Sequence, residues 1–107
     1  MSKYKAKRTE VDGIVFASQK EARRYRELKL LEKAGEIRNL QLQPRFPVWA
    51  PGGDMDSKLG EYRGDFSYTD NRDHGFVVED VKGFKTPLYK WKKKHVEAQY
   101  GIRIREV

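Results

Sequence analysis

The sequence predicts an α+β domain, a mixed central sheet flanked by two helices, because two capped helical segments lie among short strand-like runs. The helical segments run from Ser18 to Gly35 and from Thr86 to Gly101, each with its own start and stop signals. The strand-like runs precede, separate and follow them, in the order β-α-β-β-β-β-α-β. No repeat, low-complexity tract or linker divides the chain.

Residues 1–10, MSKYKAKRTE, are polar and basic and are expected to form a flexible arm, leaving 11–107 as one domain. Gly13 to Ala17 (GIVFA) is a short β-prone run. Ser18-Gln19-Lys20-Glu21 has the spacing of a capping box, in which the Ser18 hydroxyl and the Glu21 carboxylate satisfy open amides of a first turn. The helix should run to about Ala34, with Gly35 as its stop. Ala22, Tyr25, Leu28 and Leu31 should face inward, and Arg23, Arg24, Arg26 and Lys33 toward solvent or a ligand. Glu36 to Leu42 (EIRNLQL) and Arg45 to Trp49 read as strands. Ala50 to Gly60, rich in glycine, reads as a mobile loop.

Glu61 to Thr69 (EYRGDFSYT) alternates, and Gly75 to Lys82 (GFVVEDVK) is rich in valine. The turn-forming link Asp70-Asn71-Arg72-Asp73-His74 should join them as an antiparallel hairpin. Thr86 is an N-cap before Pro87, and the second helix should reach about Gln99, with Trp91, Val96 and Ala98 inward and Gly101 as its end. Ile102 to Val107 (IRIREV) closes the chain as a strand.

At 107 residues the chain is near the commonest size of a single domain. Its 23 Lys+Arg against 16 Asp+Glu give +7, which favours a polyanionic partner, nucleic acid before a membrane surface. The absence of cysteine excludes disulfides, zinc–thiolate sites and cysteine nucleophiles. His74 and His95 stand far apart, which argues against a histidine metal cluster or a Ser-His-Asp triad. No apolar run approaches the ~18 residues of a membrane span, and a cytoplasmic location is expected. Chemistry is left to carboxylates, lysines and a divalent metal.

Side chains two apart on a strand share a face, so Asp80 and Lys82 point one way with Phe76 and Val78. Glu79 points the other way with Val77 and Val81, and reads as a solvent-facing or salt-bridged residue. Arg63, Asp65 and Ser67 share a face of the preceding strand. A turn centred near Arg72-Asp73 sets Asp65 opposite Asp80, so that two carboxylates and a lysine converge. Facing carboxylates repel unless neutralised, and oxygen ligands without thiols or histidines suit Mg²⁺ or Mn²⁺. Such an ion can polarise a phosphodiester and lower the pKa of a water. Lys82 would then position or deprotonate the attacking water, or neutralise charge growing on the phosphate. The plainer reading makes Asp80 and Lys82 a same-strand ion pair of little energetic weight.

Asp65, followed by Glu79-Asp80-Val81-Lys82-Gly83, resembles the D…(D/E)-x-K core of PD-(D/E)XK nucleases, with Asp65 as first acid, Asp80 as second and Lys82 as the motif lysine. The run FASQKEARRYRELKLLEKAGEIRNLQLQPRF, with RGDFSYTD and VVEDVKG, is similar to small phage and prophage proteins grouped with endonucleases and compared with Holliday-junction resolvases. The similarity covers nearly the whole chain. It implies a restriction-endonuclease-like fold and a Mg²⁺-dependent endodeoxyribonuclease acting on branched or structured DNA. Such families often place a further acid on the first helix, where Glu21 stands. Gly64 occupies the position where the superfamily often has proline.

Glu21 is thus a metal ligand or active-site residue beside Asp65 and Asp80, a helix cap, or both. Gln43 either bonds phosphate or a metal-bound water, or stabilises a turn. Lys90, Lys92, Lys93 and Lys94 form the densest basic run, a solvated face or a phosphate contact, with Lys85, Arg23 and Arg24 as further contacts to DNA. Competing with an endonuclease are a catalytically inactive DNA-binding module on a nuclease fold and an interaction protein with an acidic partner. A resolvase cuts two strands symmetrically, so a homodimer is expected.

Overall fold

The computed structural model describes residues 7–50, 58–81 and 85–107. Its elements are β1 (Thr9–Val11), β2 (Ile14–Phe16), α1 (Gln19–Lys33), β3 (Ile37–Leu42), β4 (Arg45–Trp49), β5 (Lys58–Arg63), β6 (Phe66–Asp70), β7 (Phe76–Asp80), α2 (Pro87–Tyr100) and β8 (Ile104–Glu106). The helices begin and end where their caps dictate. Ser18 accepts the Glu21 amide at 3.1 Å, and Gly35 turns the chain away with φ +80. Thr86 accepts the Tyr89 amide at 3.0 Å ahead of α2, and Gly101 ends it with φ +63.

A four-stranded sheet in the order β3-β6-β7-β8 forms the centre. The first two pairings are antiparallel, and β7 pairs with β8 in parallel through the α2 crossover, so the sheet is mixed. On one face α1 and the β1–β2 hairpin enclose Phe16, Ala22, Tyr25, Leu28, Ile37, Phe66 and Tyr68. On the other, α2 and the β4–β5 hairpin enclose Val48, Tyr62, Val78, Tyr89, Val96 and Ile104. The domain is therefore α+β, with helices on both faces of β6 and β7. No helix among the described residues is long and apolar enough to cross a membrane.

The β6–β7 register pairs Phe66 with Glu79, Ser67 with Val78, Tyr68 with Val77 and Thr69 with Phe76. Continued by one residue, it sets Asp65 against Asp80, the register that a turn centred at Arg72-Asp73 predicts. The turn is pinned by its own side chains. Asp70 accepts the Arg72 amide at 2.9 Å and its guanidinium at 2.8 Å, and Asp73 accepts the Gly75 amide at 2.8 Å. Hydrogen bonding to Arg72 holds the Asp70 carboxyl down at about 2.

Elsewhere the chain departs from expectation. Thr9 and Glu10 are not part of a flexible arm: they pair with Phe16 and Val15. Asp12 (φ +53) and Gly13 (φ +77) form the two-residue turn that suits a tight hairpin. Lys58 to Gly60 extend β5 instead of belonging to a loop, and 51–57 lie outside the described residues. On α2, Tyr89 and Val96 turn inward, whereas Trp91 and Ala98 are exposed.

The expected strand Glu61–Thr69 is two strands, because Gly64 and Asp65 form a corner. The β5 half pairs with β4 and the β6 half with β3 and β7. The corner is tied by Gly64 donating to the Pro44 carbonyl at 2.9 Å, Asp65 to Glu79 at 3.0 Å and Gln43 to Asp65 at 2.9 Å. A Cβ on Gly64 would stand 2.9 Å from Val78 Cγ1, inside the core. Glycine is required there by close approach of the two strands. Gly64→Ala should destabilise the fold by about 1–3 kcal/mol. In a double-mutant cycle by denaturant unfolding, Val78→Ala should cost less in the Gly64→Ala background than in the wild type. Strict additivity would contradict the close approach.

Candidate functional site

Asp65 stands at the β5–β6 corner and Asp80 at the end of β7, so the corner and the register together bring the two carboxyls to one end of the sheet. Asp65 Oδ2 accepts the Val81 amide at 2.6 Å, and Asp80 accepts the Tyr62 hydroxyl from the neighbouring hairpin. The register sets the Asp65 and Asp80 carboxyls against each other, and two facing carboxylates repel unless a proton or a cation neutralises one of them. Burial pushes Asp65 up from 3.8 to about 7, with the charges of Asp80 and Glu21 adding to it and the Val81 amide opposing. Burial and the bond to Asp80 push the Tyr62 hydroxyl up as well, so it stays protonated and donates.

Glu21, Gln43 and Asp65 line one cleft of about 220 Å³ with Ile14, Val15, Phe16 and Leu42. Gln43 reaches it from a left-handed backbone position, φ +51, between β3 and β4. A larger groove of about 640 Å³ lies on the outer side of α1, lined by Val11, Asp12, Tyr25 and Leu30 among others, away from the acid pair. The carboxyl with the raised pKa lines the smaller cleft, which makes that cleft the candidate site. Thus Glu21, Gln43 and Asp65 share a cleft and Asp80 stands across the register from Asp65, while Lys82 lies outside the described residues. Among the described residues no three His, Cys, Asp or Glu gather as a ready metal-ligand group.

Of the two expectations for Glu79 the salt bridge is met and the solvent-facing position is not: it is fully buried, on the opposite face from Asp80. Arg24 donates to both its oxygens, Nε at 2.7 Å and a terminal nitrogen at 2.6 Å, and Tyr68 donates from the sheet. This bidentate pair raises the Arg24 pKa further above its usual range. Arg24 therefore points to the sheet, not to solvent, because Glu79 needs a counter-charge in the core.

The basic run divides in the same way. Lys92 donates to the Glu61 carbonyl at 3.1 Å, and Lys85 and Lys93 lie 3.1 and 3.7 Å from Glu106. Hydrogen bonds from Tyr89 and Lys85 hold Glu106 below the usual carboxylate range. Lys90, Lys94 and Arg23 are exposed. Sequence reasoning missed Tyr62 and Tyr68: nothing local tells a tyrosine that packs from one that also donates to a buried carboxylate.

The described residues thus define an α+β domain with two facing carboxyls at one end of a mixed sheet, one of them lining a small cleft. The chain belongs to the family described as protein of unknown function (DUF1064), whose model matches residues 1–105. No curated protein and no solved structure matches it.

Arg24→Ala leaves a buried carboxylate without its counter-charge and should cost about 3–5 kcal/mol in denaturant unfolding, with part recovered by adding Glu79→Gln. Because the Asp65 pKa is raised on folding, the native state holds a proton that the unfolded chain releases. Stability in EDTA should therefore fall as pH rises from about 4 to about 7, the window between 3.8 and the folded value. Asp65→Asn should flatten that slope; an unchanged slope would contradict the assignment.

Proposed function

We propose that the chain is a metal-dependent DNA endonuclease of the PD-(D/E)XK type, with a restriction-endonuclease-like fold. It acts as a homodimer in the cytoplasm and hydrolyses phosphodiesters of branched or structured DNA. The observation that carries this is the register that sets Asp65 against Asp80, with Asp65 lining a cleft that also holds Glu21 and Gln43. The mixed sheet with a helix on either face is the coarse architecture that the sequence resemblance implies. The net charge of +7 suits a polyanionic substrate.

The donor set fits Mg²⁺ or Mn²⁺. Two carboxyls that must share a proton when close together can instead share a divalent cation, and oxygen ligands suit these ions. Asp65 and Asp80 would hold the ion, with Glu21 contributing from the α1 side of the cleft. When bound, the ion supplies charge neutralisation and polarisation of the phosphodiester. The chain's own residues do the positioning. Tyr62 fixes one Asp80 oxygen, the Val81 amide fixes one Asp65 oxygen, and the Arg24–Glu79 pair anchors α1 to β7, the strand that carries Asp80. Lys82, two residues beyond Asp80, would place its ammonium beside the phosphate and stabilise charge there or orient the water. Gln43 would donate to a phosphate oxygen, and Arg23, Lys90 and Lys94 would contact the flanking backbone.

One observation favours a second reading, a DNA-binding module that does not cut: no three metal-ligating side chains gather among the described residues. Labelled four-way junction, flap, duplex and single-stranded DNA, incubated with Mg²⁺, Mn²⁺ or EDTA, separates the two. Cutting should require the ion, and Asp80→Asn should lower its rate by at least about 100-fold with binding retained in a gel shift. Cutting in EDTA, or by Asp80→Asn at the wild-type rate, would refute the proposed site. Tight binding without cutting in either metal would favour the module.

A further inference from the structure

Because Tyr89 and Val96 of α2 turn into the core, Leu88, Trp91 and His95 form a stripe on another side of the helix. Leu88 is 61% exposed and Trp91 49%. The His95 ring lies 5.2 Å from the indole, centroid to centroid, tilted by 32°. His95 is itself anchored, with Nε2 3.1 Å from the Trp49 carbonyl oxygen of β4. A carbonyl only accepts, so Nε2 carries the proton and donates. The indole is therefore backed by a ring tied to the adjacent hairpin, while about half its surface stays open.

Lys90 and Lys94, both exposed, stand on either side of Trp91 in the sequence and on one flank of it around the helix. A rigid, open aromatic ring beside two ammonium groups offers a π-face for a base and cations for its phosphates. Pairing with a second copy through this patch would bring the same lysines toward one another, which disfavours self-association.

We propose that Trp91 is a stacking platform for an unpaired base of single-stranded DNA, with Lys90 and Lys94 holding the adjoining phosphates. The proposal rests on the nuclease reading for its purpose, since it names an unpaired stretch of the substrate as what this surface holds.

The test is fluorescence anisotropy of a labelled oligothymidylate strand and of a duplex of the same length, titrated with the full chain in EDTA. Trp91→Ala should weaken single-strand binding roughly 5- to 100-fold and leave duplex binding much less affected, and Trp91→Phe should restore most of the loss. Lys90→Ala with Lys94→Ala should flatten the dependence of single-strand affinity on salt. Circular dichroism should show each variant folded, since all three side chains are exposed. Single-strand affinity unchanged in Trp91→Ala would overturn the proposal, as would equal losses for strand and duplex. So would reduced self-association at unchanged affinity, which would mark a protein contact. Without metal no cleavage enters the result. Trp91-dependent binding would stand even if the chain never cut DNA, and cutting with unchanged Trp91→Ala binding would remove this proposal alone.

Discussion

The candidate site depends on one constraint, the register between β6 and β7. Side chains alternate along a strand, so a slip of one residue would carry Asp80 to the α1 face and Glu79 to the α2 face. The register is held at the turn by Asp70 gripping Arg72 and at the far end by Asp65 donating its amide to Glu79. Between them Val78 fills the core toward α2, while Glu79 meets Arg24 on the α1 side. A slipped register would bury Asp80 before Arg24 and leave Asp65 without the carboxyl it now faces.

Two neighbouring acids on β7 consequently have opposite fates. Glu79 is fully buried yet charge-compensated by a bidentate arginine and a tyrosine, an arrangement whose removal is expensive and whose role is to hold α1 against the sheet. Asp80 faces another carboxyl and a tyrosine hydroxyl, and burial, with the charge of Asp80 adding to it, holds Asp65 up at about 7. A carboxyl held up in this way beside a cleft is a candidate functional group, whereas the compensated Glu79 is a structural one.

Much of this was legible beforehand. Helix ends followed from Ser18, Gly35, Thr86 and Gly101, whose side chains or lack of them act locally. The Asp65–Asp80 meeting followed from the turn residues and the two-residue strand period. Contacts between distant segments were not legible. The sequence around Gly64 alternates smoothly, and only the approach of Val78 shows why the chain must turn there. Glu79 reads as solvent-facing or salt-bridged, and its burial shows only when Arg24 arrives from a helix 55 residues earlier in the chain. Trp91 reads as core because tryptophan is usually buried, but Tyr89 and Val96 already fill the space under α2. The Asp-Gly turn at Asp12-Gly13 is a local hairpin signal that outweighs the basic, arm-like composition of the preceding residues.

The most direct measurement is an NMR titration of the Asp65 carboxyl carbon, without added metal and then with saturating Mg²⁺. Without the ion, Asp65 should titrate at about 7, far above an isolated aspartate. With Mg²⁺ the curve should move to lower pH, as the cation competes with the proton for the Asp65 carboxylate. Titration in the ordinary aspartate range without metal would contradict the acid pair itself. A high value that Mg²⁺ leaves unmoved would keep the pair and contradict its proposed use.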